Sequence, residues 1–449
     1  MREPVGFEDN ITLAGRCGGM ILPNGEVVSM DGIKTRLNNN VIAMATSGGG
    51  KTRSVLTPNL LAGVGSYVVS DPKGNLMSKY GSYMKHLGYD IVHFDFVHPE
   101  RSDGYNPLCY VKTPDEILKL AHYLTYAGKS EFTSADPFWD KCGELLLSVV
   151  IAFMVDAEFP VEKRNFGEIG NLLTHIEADR IMDGERCKFD KELDWLRSVY
   201  KKKHDREPWC YQQYLKFRMT PAKTMHTILV TIQSNIGALD TPEIHEMMTK
   251  PTIDFRRIGQ RKTAVFIGVS DTDRSRDILV NTFYSQAMNR LCTFADYECE
   301  DSRLPVPVRF MLDDFGTNCR IDGFENMISN IRSRNISATI ILQSESQLAR
   351  GYGSSAHTIM DNCDTLIYMG GNDVNTAEMI AKRADKPLTE ILDMPVGTNW
   401  LFRRGEKPVH SRSVDLDEYA LMPYVYSKRY IPVSEKLKQA FNVPKGNAD

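Results

Sequence analysis

The sequence predicts an α/β protein with a mainly parallel sheet flanked by helices and an all-helical segment inserted in it. Three observations carry this. Short runs rich in β-branched residues recur as continuous apolar stretches, the pattern of strands buried on both faces. Helical segments separate several of them, as a parallel sheet requires. One run, Val41-Ile42-Ala43-Met44, leads into the glycine loop Ala45-Thr46-Ser47-Gly48-Gly49-Gly50-Lys51-Thr52, which opens an apolar-periodic run from Ser54 to Leu61.

The elements follow in order. After Val41–Met44, strands are expected at Ser66–Ser70, Asp90–Phe94, Ala264–Val269, Val308–Leu312, Ala338–Leu342 and Thr365–Met369. Asn399–Arg404 and Pro408–Ser411, joined by Gly405-Glu406-Lys407, read as a late hairpin. Between Thr113 and Lys250 nothing reads as strand. There Asp115–Tyr126, Trp139–Met154, Asp190–Lys202 and Lys223–Met248 carry apolar residues at three/four spacing, with breaks at Pro160, Pro208, Pro221 and Pro242. The expected division is an α/β nucleotide-binding domain over 1–112 and 251–449, interrupted by an all-α domain over 113–250. The stretch after Ser411, with Pro423 and Pro432, reads as peripheral.

Composition narrows the function classes. The 449 residues have room for one large domain or two to three ordinary ones. Apolar residues at 42% and charged residues at 25% exclude a disordered class. A net charge of −4 gives no global attraction for nucleic acid, so any such contact is local. Nine cysteines without a C-x-x-C pair point to reduced thiols in a cytoplasmic setting, not to a disulfide framework or zinc site. Met1–Gly19 has no apolar core, so no signal peptide is expected. The longest apolar stretch, Leu145–Val155, is about half of the ~20 residues needed to cross a bilayer. It reads as a buried helix, and no transmembrane segment is expected.

The glycine loop fits G-x-x-x-x-G-K-[ST] with Ala45 in place of the first glycine. Glycines let backbone N–H groups curl round an oxyanion, and the following helix adds its positive end. Lys51 would reach the β- and γ-phosphates of ATP, and Thr52 would hold Mg²⁺ through its hydroxyl. Arg53 closes the candidate nucleotide-binding set. The bland alternative is a glycine-rich turn beside an ordinary lysine. A phosphate loop also needs a carboxylate at the end of a neighbouring strand. Val308–Leu312 ends in Asp313, the candidate Mg²⁺ ligand, and Asp314, where many ATPases carry a glutamate that polarises the attacking water. Aspartate is shorter by one methylene, about 1.5 Å of reach, and a small misplacement costs on the order of 100-fold in rate. Either backbone position compensates or turnover is slow.

Three further positions fit the same chemistry. Asp71 follows the second strand, where ligands bind open α/β sheets. It would touch Mg²⁺ or the attacking water, and Lys73 the phosphates or a neighbouring subunit; a simple Pro-Lys-Gly turn is the alternative. Gln343 ends the Ala338–Leu342 strand and is either a buried sensor of the γ-phosphate or a structural glutamine. Arg332 and Arg334, read as lying on a helix end, are either surface charges or a guanidinium supplied across a subunit interface to speed phosphoanhydride hydrolysis.

With these motifs in this order, the chain resembles the coupling proteins of type IV secretion, the TraG/TraD-like ATPases of bacterial conjugation. The likeness covers residues 38–416. It rests on Asn38-Asn39-Asn40-Val41 through Thr52, Pro58-Asn59-Leu60, Ser70-Asp71-Pro72-Lys73-Gly74-Asn75-Leu76 and Tyr105-Asn106-Pro107-Leu108. It continues with Asp136-Pro137-Phe138-Trp139, Leu312-Asp313-Asp314-Phe315, Ile331-Arg332-Ser333-Arg334, Gln343-Ser344-Glu345-Ser346-Gln347-Leu348 and Asp361-Asn362-Cys363-Asp364. The resemblance implies a RecA-like P-loop NTPase domain carrying an all-α substrate-recognition domain. It implies a ring, usually hexameric, with ATP at subunit interfaces and DNA in the channel, coupling a relaxase–DNA complex to the secretion channel. It also implies a place at the inner face of the cell membrane. Family members usually begin with transmembrane helices, which this sequence lacks, so a removed segment, a truncated paralogue or a separate membrane anchor is expected.

Candidate DNA contacts are Lys201-Lys202-Lys203 with Arg206, Arg256-Arg257 with Arg261-Lys262, and the Asp271–Arg276 segment. Each would contact phosphates without reading sequence; a solvated charged face is the alternative. Trp139 and Trp209 are expected in the core, with base stacking the alternative. Two other readings stand beside a conjugative motor: an FtsK/HerA-type DNA pump, and a nucleotide-gated adaptor that docks the relaxase without pumping.

Overall fold

The computed structural model describes residues 10–72, 74–126, 137–270, 272–315, 320–419 and 421–427. Lys73, Asp136 and Asp271, singled out above, lie outside the described residues. The described chain forms two compact units. One draws on Met1–Asp95, Asp254–Asp271 and Asn289–Asp449, the other on Phe96–Ile253 and Thr272–Met288.

All described strands belong to the first unit: β1 (Gly19–Ile21), β2 (Val27–Ser29), β3 (Val41–Met44), β4 (Ser66–Ser70), β5 (Asp90–Asp95), β6 (Thr263–Gly268), β7 (Val308–Leu312), β8 (Ile336–Leu342), β9 (Thr365–Tyr368), β10 (Thr398–Arg403) and β11 (Val409–Arg412). β1 and β2 pair as a small antiparallel ribbon. The other nine form one sheet in the order β11-β10-β9-β3-β8-β7-β4-β6-β5. From β9 to β5 every pairing is parallel, and only the late hairpin β10–β11 runs antiparallel. Every residue of β3, β4, β6, β7, β8 and β9 is buried, which is why these strands read as continuous, mostly apolar runs rather than alternating ones, with Arg309 of β7 the buried charged exception. β1 and β2 escaped the sequence reading because three residues carry no period.

The run after the glycine loop is not one regular helix. Thr52–Leu56 forms a wide turn in which the Thr57 N–H donates to the Thr52 carbonyl, and an α-helix follows over Thr57–Ala62. Pro58 has no N–H for the Ser54 carbonyl, and its ring crowds that carbonyl. A wide turn at this place absorbs the defect. Asn59 then bonds both Ile21 backbone groups, N–H to Oδ1 at 2.9 Å and Nδ2 to O at 2.9 Å, fixing β1 on this helix.

At the amino end of β3 three asparagines act as a clamp. The Asn40 side chain is buried; it donates to the carbonyls of Ile328 (3.3 Å) and Asn362 (3.0 Å) and accepts from the Ala338 N–H (3.0 Å). Asn38 binds Asp364 and Asn362, and Asn39 donates to the Met30 carbonyl. The Asn38–Asn40 and Asp361–Asp364 motifs thus meet in space and hold β3 in register with its neighbours.

One expectation is corrected. Residues 413–419 and 421–427 are not peripheral: Val414, Leu416, Tyr419, Met422 and Val425 are buried in the same core as Val55, Leu56 and Leu60 of the phosphate-loop helix. Apolar side chains two to three residues apart outweigh the proline signal.

The second unit is helical. Pro137–Asp156 packs against Pro114–Tyr126, Trp209–Arg218 and Ala222–Gly237. Its buried run Leu146–Met154 is the long apolar stretch of the sequence, and no helix among the described residues is long and apolar enough to cross a membrane. The expected Lys223–Met248 helix is two, Ala222–Gly237 and Pro242–Thr249, divided just before Pro242. Tyr105-Asn106-Pro107-Leu108 belongs to this unit. Tyr105 donates to Gln286 at 2.8 Å, and Asn106 donates to the carbonyls of Arg164 and Met248. Trp139 is 43% exposed, which corrects its expected place in the core; it stands in the first turn of its helix, where one side faces outward. Trp209 is half-buried.

Asn40→Ala takes this partner from the Ile328 carbonyl and the Ala338 N–H, at about 1–3 kcal/mol each before relaxation, while the Asn362 carbonyl keeps Asn38. Urea unfolding of the variant, followed through the first unit, is expected to show a lowered midpoint with an unchanged slope.

Candidate nucleotide-binding site

The site lies at the carboxyl ends of β3, β4, β7 and β8. Four loops meet there because β3 and β7 are separated only by β8, about 10 Å of sheet at ~4.8 Å per strand. The cleft has a volume of about 610 Å³ and is lined by the Thr46–Arg53 loop, Asp71, Asp313, Asp314 and Gln343.

The phosphate loop takes its shape from Gly48 and Gly50, which hold φ of 78° and 86°, the left-handed region that glycine enters without strain. Its base is fixed by the Ala45 N–H on the Leu342 carbonyl (3.1 Å) and the Thr46 N–H on the Gly370 carbonyl (3.3 Å). Ala45 has no positive φ, so the backbone accepts a methyl group in place of the usual glycine. That methyl has a consequence: a Cβ on Gly49 would come within 2.8 Å of the Ala45 Cβ. Lys51 is 8% exposed, and its Nζ donates to the carbonyls of Ala45 (2.5 Å) and Thr46 (3.3 Å). Burial lowers its pKa, opposed by the charges of Asp314 and Asp313.

Thr52 Oγ1 donates to Asp313 Oδ2 at 3.0 Å, joining loop to acidic strand. Burial foremost, then the neighbouring Asp314 charge, raise the pKa of Asp313. Asp314 has φ of 50°, a left-handed backbone that aspartate tolerates better than most residues. Its N–H donates to Asp313 Oδ1 (3.1 Å), and its Oδ1 accepts from Gln343 Nε2 (3.3 Å). Gln343 is exposed, not buried as expected, since it stands one residue beyond β8. Its backbone N–H donates to Gln347 Oε1 at 2.6 Å, which steadies the turn.

Asp71 reaches the cleft wall but spends both oxygens elsewhere. It accepts from the N–H groups of Leu76 (3.1 Å) and Met77 (2.9 Å), capping the helix Asn75–His86. Arg53 lines the cleft and pairs with Asp415 and Asp417. Asn75, Lys79 and Tyr80 also line the cleft and were missed; the only sequence signal was their place in the first two turns after a strand-end loop.

Arg332 and Arg334 are not in this cleft, and they lie in a turn rather than on a helix end. They precede β8 at its amino end, seven residues or about 23 Å of strand from Gln343. Arg332 donates to the Gly32 carbonyl (2.5 Å) and lines a separate cavity of about 660 Å³ with Asn39 and Arg303. Arg334 pairs with Asp296 at 2.8 Å. Of the basic segments proposed for DNA, Arg256, Arg257 and Arg261 are tied up with Asp254, Asp90 and Glu298 before β6. Lys201, Lys202, Lys203 and Arg206 are exposed on the helical unit.

A glycine loop after a central parallel strand, with its threonine bonded to a strand-end aspartate one strand away, defines a P-loop NTPase of RecA-like fold. Within that class the chain belongs to the type IV secretory system conjugative DNA transfer family, which it matches over residues 11–386. It is 22% identical over 358 residues to the conjugal transfer protein TraG of Escherichia coli, covering 76% of this chain and 54% of that protein. It is 21% identical over 374 residues to the type IV secretion system-coupling protein VirD4 of Bartonella quintana (strain Toulouse), covering 80% and 54%. The chain thus spans about half the length of these curated relatives. Its fold is similar to that of the plasmid coupling protein TrwB in complex with ADP and Mg²⁺, with a TM-score of 0.61, 15% identity and 92% and 94% of the two chains covered. It also resembles the unbound monoclinic form of the bacterial conjugative coupling protein TrwBdeltaN70, with a TM-score of 0.62, 14% identity and 88% of each chain covered.

Two outcomes are expected. Gly49→Ala overpacks the loop, at a cost of about 1–3 kcal/mol; equilibrium titration should show ATP binding weakened by about 5- to 150-fold, with partial recovery when Ala45→Gly is added. Asp313→Asn removes an acid whose folded pKa is raised, and whose ionised form therefore opposes folding. Thermal unfolding without nucleotide should show the variant more stable at neutral pH, and the gain should vanish as pH falls through the raised folded pKa toward the unfolded value of 3.8.

Proposed function

We propose that this chain is an ATP-dependent coupling protein that recruits a relaxase–DNA complex and drives its transfer through a type IV secretion channel. In this reading it works as a homo-hexameric ring with DNA in the channel, at the cytoplasmic face of the membrane through its partners or a separate anchor. The motor is assigned to the first unit and substrate recognition to the helical unit, which takes in 96–112 and 272–288 as well as the expected 113–250. The observation that supports the reading is the placement of the candidate site residues on two opposite edges of one sheet. The phosphate loop, Asp313, Asp314 and Gln343 lie at the carboxyl edge, and Arg332 and Arg334 at the amino edge. A guanidinium about 20 Å from its own loop serves hydrolysis only in a neighbouring copy. The description of the family as conjugative DNA transfer supports DNA as the cargo.

The residues fit a nucleotide with Mg²⁺. Thr52 and Asp313 offer hard oxygen donors already in contact, and Mg²⁺ is ordinarily shared between one or two such groups and substrate phosphates. Among the described residues no cluster of three His, Cys, Asp or Glu side chains offers a metal site of its own. Bound there, Mg²⁺ neutralises charge on the phosphates. The chain's own groups do the rest. The loop N–H groups and Lys51 hold the phosphate oxygens, with Lys51 turning from the loop carbonyls to the ligand. Asp314 orients the attacking water and accepts its hydrogen bond, and Gln343 orients Asp314. Asp71 acts through the helix it caps.

The Asp314 position keeps a second reading open. A short carboxylate hydrogen-bonded to Gln343 suits a slow or switch-like ATPase, and so an adaptor that docks the relaxase without pumping. ATP turnover of the purified chain, with and without single- and double-stranded DNA, separates the two. The motor reading expects hydrolysis that DNA stimulates and Lys51→Ala abolishes. Tight ATP binding without turnover under any condition contradicts it and leaves the adaptor.

A further inference from the structure

We propose that Asp415 and Asp417 are positioning residues for Arg53: they hold its guanidinium on the C-terminal strap and yield it to a nucleotide phosphate, so that nucleotide and strap compete for one charge. The inference rests on the nucleotide-site reading above and adds a regulatory partner to that site. The strap, residues 413–419 and 421–427, lies beyond residue 386, where the family match ends.

Four observations meet here. Arg53 directly follows Thr52 and lines the same cleft as Lys51 and Asp313. Its Nη2 donates to Asp415 Oδ1 at 2.6 Å and to Asp417 Oδ2 at 2.8 Å. The strap is anchored without this pair: Ser54 Oγ donates to the Val414 carbonyl at 3.2 Å, the Val414 N–H donates to the Pro23 carbonyl at 2.7 Å, and the apolar residues of the strap are buried. The two carboxylates also organise the strap itself. Asp415 caps the turn at Leu416–Glu418, Glu418 takes Arg412 at 2.7 Å, and Asp417 accepts from Tyr426 at 2.7 Å.

Competition follows from the charges. The three partners are about half exposed, at 46%, 54% and 61%, where an ion pair is weak and screened. A triphosphate brings more charge and oxygens spaced for a guanidinium fork, and such pairs are among the stronger ones. The guanidinium therefore passes to the nucleotide, and Asp415 and Asp417 are left without their cation. The strap stays seated by its apolar face but loses the contact that fixes its polar face. Coupling between two ligands of one group is reciprocal: what the strap takes from nucleotide affinity, nucleotide takes from strap order.

The test uses the full chain, Mg²⁺ and a fluorescent N-methylanthraniloyl ATP. Asn at both positions keeps the capping geometry and removes the negative charge. Asp415→Asn/Asp417→Asn is expected to bind the probe about 3- to 10-fold tighter, and the gain should disappear when Arg53→Ala is added. A merely structural role would not make the gain depend on Arg53. In the unaltered chain, saturating ATP should speed amide hydrogen exchange across 413–419. Equal or weaker affinity of the double variant, or exchange that ATP leaves unchanged or slows, overturns the proposal while the nucleotide site stands. Probe binding that is absent, or indifferent to Lys51→Ala, overturns both.

Discussion

The hydrogen bond from Thr52 to Asp313 is the contact on which the first unit depends. It joins two strands that are not neighbours, β3 and β7, across the end of β8. For it to exist, β3 must be central, the loop must turn through left-handed glycines, and β7 must end at the loop's height. The asparagine clamp sets that height from the far end, because Asn40 ties the start of β3 to the start of β8. The glycines set the turn, and the crowded pair Ala45–Gly49 leaves it little freedom. A fold with this contact has placed a lysine, a hydroxyl and two carboxylates round one cleft.

A parallel sheet then forces a division. All its carboxyl ends lie on one edge and all its amino ends on the other, so a residue before β8 cannot reach a loop after β3 of the same chain. Arg332 and Arg334 therefore belong to a different surface from Lys51 by topology alone. The pairing of Arg334 with Asp296 and the bond of Arg332 to Gly32 hold both side chains near that surface. The proposal that the chain acts as an oligomeric motor draws on this geometry and on family membership.

Much of the fold was legible in the sequence, and for a physical reason. Strands buried on both faces are apolar along most of their length, so β3, β4, β6, β7, β8 and β9 announce themselves. The loop was legible because its glycines are demanded by backbone conformation. What stayed hidden depends on which partner or face a side chain takes, near in the chain or far from it. Asp71 read as a ligand because strand ends bind ligands, yet the helix it caps begins four residues later and takes both its oxygens. Gln343 read as buried because the strand before it is. The strap read as peripheral because prolines were weighed more heavily than Val414, Leu416 and Tyr419, whose core lies some 350 residues earlier in the chain. Trp139 read as core from its residue type, although a helix's first turn often faces outward.

The claim at the centre is that one hydrolytic site is completed by two copies of this chain. Mixing chains that carry Lys51→Ala with chains that carry Arg332→Ala and Arg334→Ala tests it directly, with ATP turnover as the readout. Each variant alone should be inactive, and mixtures should regain activity because some interfaces pair an intact loop with an intact arginine edge. Turnover that stays at the level of the separate variants at every mixing ratio would contradict the account.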